Sequence, residues 1–202
     1  ENIFMRVLRK YGYSVGEVSA DLNSSPVNGL NGYFNINQLM ADSILIDTVR
    51  LGLKSDAERI AYSVQVRNNK KNPQYVFNAL LNGALEERGT YIKANIYDEA
   101  NKLGIGVGVR ATMEDKGIQL SLMDQEAVLG YKRFTVNDGN YVFLGDDRRV
   151  RADVRLRATD GTGILLTTNN ENEEALQDIT LSLNHFNLEK LFSVLPYIPE
   201  VS

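Results

Sequence analysis

The chain contains 202 residues, 43% of them hydrophobic and 24% charged, with a net charge of −4 and no cysteine. The absence of cysteine excludes disulfides, thiolate catalysis and cysteine-based zinc sites, and the slightly acidic charge argues against a nucleic-acid-binding domain, which needs a basic patch. No apolar run approaches the roughly 18–20 residues of a membrane-spanning helix.

The N-terminal segment Glu1–Tyr11 predicts a short amphipathic helix, because its apolar residues recur at spacings of three and four. Gly12 follows as a plausible C-cap. A strand is predicted over Tyr13–Ala20, and Asn23–Gly32 has the composition of a turn throughout.

From there the sequence predicts one strand after another, because apolar and polar residues alternate. The clearest case is Arg59–Arg67, and polar loops are predicted at Asn68–Pro73 and Asn169–Glu174. Asn137–Gly139 (NDG) and Asp160–Gly163 (DGTG) each predict a tight hairpin, since Asp-Gly suits positive φ angles. The remaining predicted strands are Ser43–Leu53, Gln74–Leu85, Thr90–Tyr97, Leu103–Met113, Ile118–Met123, Tyr141–Leu144, Val150–Ala158 and the start of Gln177–Ser202.

The C-terminal stretch Gln177–Ser202 changes its period partway along. Its first part alternates like a strand, whereas Asn187–Leu195 places Leu188, Leu191 and Phe192 on one stripe of a short helix that prolines then end. We expect these three residues to pack over one end of the sheet's apolar face.

Strands at intervals near ten residues, joined by tight turns, predict antiparallel pairing. The expected fold is therefore mainly β and antiparallel, either an elongated curved sheet forming a groove or a sandwich-like domain, with short helices at both ends. We expect a single domain overall, made of an N-terminal helix and first strand in 1–22 and an antiparallel β domain in 23–202. Because both termini adjoin patterned segments, we also expect a fragment excised from a longer protein.

Candidate sites for chemistry are weak. Gly104, Gly106 and Gly108 alternate with β-branched and aliphatic residues inside a strand pattern, which argues against a phosphate loop and for a strand that bends or is closely approached. His185, the single histidine, has no accompanying nucleophile and is interpreted as structural. No metal site is expected, since the aspartates Asp138, Asp146, Asp147 and Asp160 lack calcium-loop spacing.

A row of arginines alternates with apolar residues near the end of the chain. Such a row could bind anionic headgroups or a partner's carboxylates, but a solvated face with carboxylate partners on neighbouring strands is the favoured interpretation. The row comprises Arg149, Arg151, Arg155 and Arg157.

Several stretches together resemble the TamB translocation and assembly module family, which is AsmA-like. The strongest likeness is in Gln177–Ser202, where an "LSL" strand runs into "NLEKL" and then "LPYIP". Asn23–Ser43, Tyr131–Leu144 and Asp153–Gly163 are also similar to the family, in the expected order, whereas residues 1–22 resemble it least. The glycine that normally follows the closing phrase is not reached.

The resemblance implies an antiparallel sheet rolled into a long groove, apolar inside and polar outside. It further implies a non-enzymatic envelope protein without cofactors. Such a protein is anchored in the inner membrane, crosses the periplasm toward an Omp85-class outer-membrane partner, and takes part in phospholipid transfer and outer-membrane assembly. The residues expected to face lipid acyl chains are Ile60, Tyr62, Val64, Val66, Ile92, Ile96, Ile118, Leu120, Leu122, Val154, Leu156, Leu181 and Leu183.

Two other classes of function remain open at the level of sequence. The same residues would serve as the closed core of a structural or adhesive β module, which would act as a scaffold or protein-interaction surface. A glycan-binding or hydrolytic β domain would need paired carboxylates in a cleft flanked by exposed aromatics, and the tyrosines here lie at mixed parity.

Overall fold

The structure is a computed structural model that describes residues 3–26, 29–41, 44–56, 58–68, 77–123, 126–169, 178–192 and 194. The predicted loops at Asn68–Pro73 and Asn169–Glu174 lie almost entirely outside these residues. So do the prolines expected to end the C-terminal helix.

The predicted N-terminal helix is confirmed as α1, Ile3–Lys10. Gly12 ends it as expected, with φ at +81° and its amide donating to the carbonyl of Arg9 at 3.1 Å. At the other end, α2 spans Leu188–Phe192, within the predicted helical segment.

In the described residues fourteen strands lie between these helices and form one sheet. In chain order they are β1 Tyr13–Ser25, β2 Gly29–Ala41, β3 Ile44–Ser55, β4 Arg59–Asn68, β5 Phe77–Glu86, β6 Gly89–Tyr97, β7 Leu103–Glu114, β8 Gly117–Leu122, β9 Glu126–Leu129, β10 Lys132–Val136, β11 Tyr141–Gly145, β12 Val150–Arg157, β13 Gly163–Thr168 and β14 Ile179–Asn184.

The sheet is an antiparallel meander in which each strand pairs with its neighbour in sequence, apart from one local feature. Strand β7 pairs along its length with both β8 and β9, and β12 pairs with both β10 and β11. Strands β8 and β9 therefore lie end to end in one position of the sheet. Strands β10 and β11 lie end to end in the next position, because β8 pairs with β11 and β9 pairs with β10. The sheet therefore has twelve positions, fourteen strands less two, and spans about 50 Å at a strand spacing of about 4.8 Å.

The hairpin predicted at Asn137–Gly139 is wrong, because β10 and β11 do not pair with each other. The chain continues in one direction through this point as a joint. The side chain of Asn140 replaces the missing ladder on one side: its Oδ1 accepts from the Leu122 amide at 2.6 Å and its Nδ2 donates to the Leu122 carbonyl at 3.2 Å. On the other side Asn137 Oδ1 accepts from the Arg155 amide at 2.8 Å.

The hairpin predicted at Asp160–Gly163 is confirmed and joins β12 to β13. The long turn predicted over Asn23–Gly32 is wrong, since β1 continues to Ser25 and β2 begins at Gly29. The polar residues Asn23 and Ser24 are exposed at the end of β1 and are paired with Asn31 and Leu30 of β2, so polarity there reflects exposure more than chain reversal. The boundary expected after residue 22 accordingly falls inside β1.

The fold buries little. The chain exposes 13,853 Å², against about 9,500 Å² for a compact protein of this mass. A small cluster of buried side chains forms the core at the C-terminal end of the sheet, made of Ala127, Phe134, Val136 and Leu156. The class expected from sequence, mainly β with one antiparallel sheet and very few helices, is confirmed.

Candidate functional site: the apolar face

Strand register shows which side chains share a face. Val64 on β4 is paired with Leu81 on β5, Leu81 with Ala94 on β6, and Ala94 with Val107 on β7. Directly paired residues point to the same side of a sheet, and side chains alternate along each strand. This row and the parallel rows beside it define one apolar face that crosses the sheet.

The same register places every residue expected to face lipid on this one face. Ile60, Tyr62 and Val66 flank Val64 at alternate positions, and Ile92 and Ile96 belong to the same rows on β6. The remaining candidates follow from β7–β8, β8–β11, β12–β13 and β13–β14 pairing, and they are Ile118, Leu120, Leu122, Val154, Leu156, Leu181 and Leu183.

The face extends further toward the N-terminus than the candidate set does. Leu51 on β3 is paired with both Val64 and Phe34, and Phe34 is paired with Ala20 on β1. The alternation of Phe34 and Ile36 with asparagines was the available signal, but it lay beside a segment interpreted as a turn.

Much of the apolar face is accessible to solvent. Among its larger side chains, Ile92 is 40% exposed, Leu85 52% and Leu181 63%. Single exposed apolar residues are ordinary, whereas contiguous ones usually mark an interaction surface. Here the exposed residues are neighbours in register across many strands, so they form one extended surface.

The side chain of Tyr62 lies flat against this surface. A Cβ at Gly83 would lie 2.5 Å from Cζ of Tyr62, so the ring lies over the glycine on the adjacent strand. The hydroxyl donates to the Tyr91 carbonyl at 3.4 Å, one strand further on. Glycine at 83 thus lets a tyrosine lie nearly flat on the sheet instead of projecting from it.

One end of the face is covered by the C-terminal segment. Phe134 is 1% exposed and its ring centroid lies 6.0 Å from that of Phe186. Val194 is buried, and a Cβ at Gly104 would collide with its Cγ1, which explains glycine there as a position of close approach. Gly104 is the second residue of β7 and no helix follows it, so the phosphate-loop interpretation stays rejected.

The helix residues singled out from sequence contribute unequally to this cover. Leu188 is 49% exposed and Leu191 is half-buried, while the side chain of Phe192 lies outside the described residues. Phe186 and Val194, which flank the helix, make the close contacts instead. Helix α2 has only five residues, so its apolar stripe is too short to pack against the sheet over more than about one turn.

The opposite face is polar and carries the arginine row. Arg151 Nη2 lies 2.6 Å from Asp147 Oδ2, and Arg155 Nε lies 2.9 Å from Asp153 Oδ1. Both pairs are substantially exposed, so each contributes little to stability. The favoured interpretation, a solvated face, agrees with this exposure, but the partners of Arg151 and Arg155 lie in the preceding turn and in β12 itself and not on neighbouring strands as expected.

The remaining candidate residues have structural surroundings. His185 directly follows β14, with φ at +49°, and is exposed. Asp160 accepts from Lys132 Nζ at 2.6 Å and from the Thr162 amide at 3.1 Å. The hydrogen bond from Lys132, followed by those from the Thr162 hydroxyl and amide, holds the pKa of Asp160 well below its usual range. The Arg149 amide donates to the Asp147 carboxylate. This hydrogen bond, followed by the one from the Arg151 side chain, lowers the pKa of Asp147.

In the described part of the chain no group of three or more histidine or acidic residues is arranged to hold a metal. None of the helices described there is both long and apolar enough to cross a membrane. No protein-family model, curated protein or solved structure matches this chain.

Proposed function

We propose that this chain is a non-enzymatic segment of a bridge-type lipid-transfer protein, in which acyl chains of phospholipids lie along the apolar face. The observation that carries the proposal is the continuity of that face. Every strand from β1 to β14 places apolar side chains on it, and many of these side chains are exposed.

The dimensions suit an acyl chain. Apolar side chains recur every second residue, about 6.7 Å apart along a strand, so the rows on β4 form a floor roughly 20 Å wide. A single leaflet of the hydrocarbon core is about 15 Å deep. A phospholipid tail therefore fits across this floor, and movement from row to row would need no change in the chemistry of the contacts.

The cellular setting follows from the resemblance to the TamB family. On that basis we place the protein in the periplasm, anchored to the inner membrane through its longer chain, with an Omp85-class protein as outer-membrane partner. Its role would be phospholipid transfer and outer-membrane assembly.

Photocrosslinking tests the proposal directly. A benzophenone amino acid at Leu120, on the apolar face, should label phospholipid when the protein is expressed in a bacterial envelope, whereas the same group at adjacent Gln119 should not. Ile92 and Lys93 provide a second pair on β6. Mass spectrometry of the adducts identifies the lipid. Labelling of phospholipid at Gln119 without labelling at Leu120 would overturn the proposal.

The alternative is a structural or adhesive module whose apolar face is sealed. The buried cluster around Phe134 is the feature that favours it. This alternative predicts no co-purifying lipid and crosslinks from Ile92 to protein only.

A further inference from the structure

The polar face of the sheet contains a depression of about 530 Å³, on β2 to β5. Its volume lies within the range of about 300–1,000 Å³ that small-molecule sites occupy. It lies on the side opposite the apolar face, so its ligand cannot be the acyl chain proposed above.

Register explains why a depression forms there. Tyr33, Gly52, Ser63 and Asn82 lie in one row across four strands. The two central positions have the smallest side chains, whereas the outer two are large. A Cβ built at Gly52 would meet only Ser63 Oγ, at 2.7 Å, among the described atoms within 4 Å. The depression therefore has its floor at Gly52 and Ser63, and Tyr33 and Asn82 stand at its two sides.

The adjacent row supplies polar groups in fixed positions. Arg50 Nε donates to Asn35 Oδ1 at 3.2 Å, and Gln65 Nε2 donates to Asn78 Oδ1 at 3.1 Å. Guanidinium and amide groups carry more donors and acceptors than these single bonds use. Side chains positioned in this way lose less freedom when a ligand binds.

Tyr33 is 51% exposed at one wall of the depression. An exposed aromatic ring offers an apolar surface with a hydrogen-bonding hydroxyl at its edge. Amides, hydroxyls, one guanidinium and the side chain of Leu80 surround the rest. A ligand that matches has one apolar face and a rim of hydroxyl or amide groups.

From this combination we infer a binding site for a saccharide unit, with the pyranose ring against Tyr33 and its hydroxyl or acetamido groups bonded to Arg50, Gln65 and Asn82. A simple anion fits less well. Among the described residues that line the depression, Arg50 is the one with a basic side chain, and Asp21, paired with Tyr33 on β1, adds negative charge beside it.

The test is a titration of the isotope-labelled protein with N,N′-diacetylchitobiose, followed by amide chemical shifts. We expect shifts at Gly52 and Ser63 with a dissociation constant of about 1 mM. Tyr33→Ala should weaken binding about 10-fold through loss of the ring contact. Gly52→Leu should abolish it by filling the floor.

Thr48→Leu is the matched control, because Thr48 lies on the same strand and face but outside the depression. It should bind like the parent. If Gly52→Leu fails to fold, Tyr33→Ala alone decides. No shift at about 10 mM disaccharide, or shifts reproduced by sulfate and unaffected by Tyr33→Ala, would overturn the assignment. Lipid labelling at Leu120 is independent of either result.

Discussion

Strands β1–β7 and the region from β9 to α2 share one alternating sequence pattern but bury it to different degrees. In the first region Ala84 is the one described hydrophobic side chain that is fully buried. The second region contains Phe134, Val136 and Leu156, which pack together beneath Phe186. The difference comes from cover: a C-terminal segment lies over one end of the sheet and contacts the start of β7, where Val194 meets Gly104, whereas nothing comparable is described over β1–β6. Stability and binding are therefore expected to reside in different parts of one continuous face.

The largest effect should come from the covered end. Phe134→Ala removes a buried ring and leaves a cavity, so we expect the free energy of unfolding to fall by about 3–5 kcal/mol. Ile92→Ala, on the exposed part of the same face, should cost about 1 kcal/mol or less. Urea denaturation followed by circular dichroism measures both. Equal losses would show that the two regions are not distinct in packing.

The joint at Asn137–Asn140 should have the next largest effect. Asn140→Ala leaves the amide and carbonyl of Leu122 without their side-chain partners, which we expect to cost about 1–3 kcal/mol. Asn23→Ala, at an exposed position on edge strand β1, should change stability by about 0.5 kcal/mol at most. A loss no larger than the control's would mean that water satisfies Leu122 equally well.

The two faces of the sheet could be predicted from sequence, because the alternation of apolar and polar residues along a strand is visible there directly. Each alternating run, from Ile60 to Leu183, lies on the expected side, since a strand has a side-chain period of two. The exposure of that face was not predictable, because Ile92 has the same neighbours in sequence whether its face is covered or open. Only the register and the position of the C-terminal segment separate those cases.

The errors have equally specific causes. NDG at Asn137–Gly139 has hairpin chemistry, yet Asn137 bonds to β12 and the following Asn140 to β8, and both strands are distant in sequence. Local propensity cannot report such partners. Likewise, Tyr33 and Gly52 define the depression only once β2 and β3 are paired, so single-sequence parity left the tyrosine signal weak. The contact of Tyr62 with Gly83 could not be predicted for the same reason, since it depends on the pairing of β4 with β5.

The smallest effect should be a difference in acid sensitivity between the two regions. Asp160 and Asp56 both have lowered pKa values. The leading cause differs: for Asp160 it is Lys132, on strand β10, and for Asp56 it is the backbone amide of Glu58 in the same turn. A carboxyl with a lowered folded pKa contributes stability above its unfolded pKa of about 3.9, and this is lost as pH falls toward the folded pKa.

Melting temperature measured from pH 6 to about pH 2.5 should therefore fall below about pH 4 in the parent protein. Asp160→Asn should flatten that fall, because it removes the proton uptake coupled to the Lys132 contact between β10 and the β12–β13 hairpin. Asp56→Asn should flatten it less, since its partners Glu58 and Arg59 stay close in the unfolded chain. Lys132→Met should reproduce the Asp160→Asn profile. If Asp56→Asn has the larger effect, acid sensitivity resides in the turns of the exposed region, and the covered end is held by packing alone.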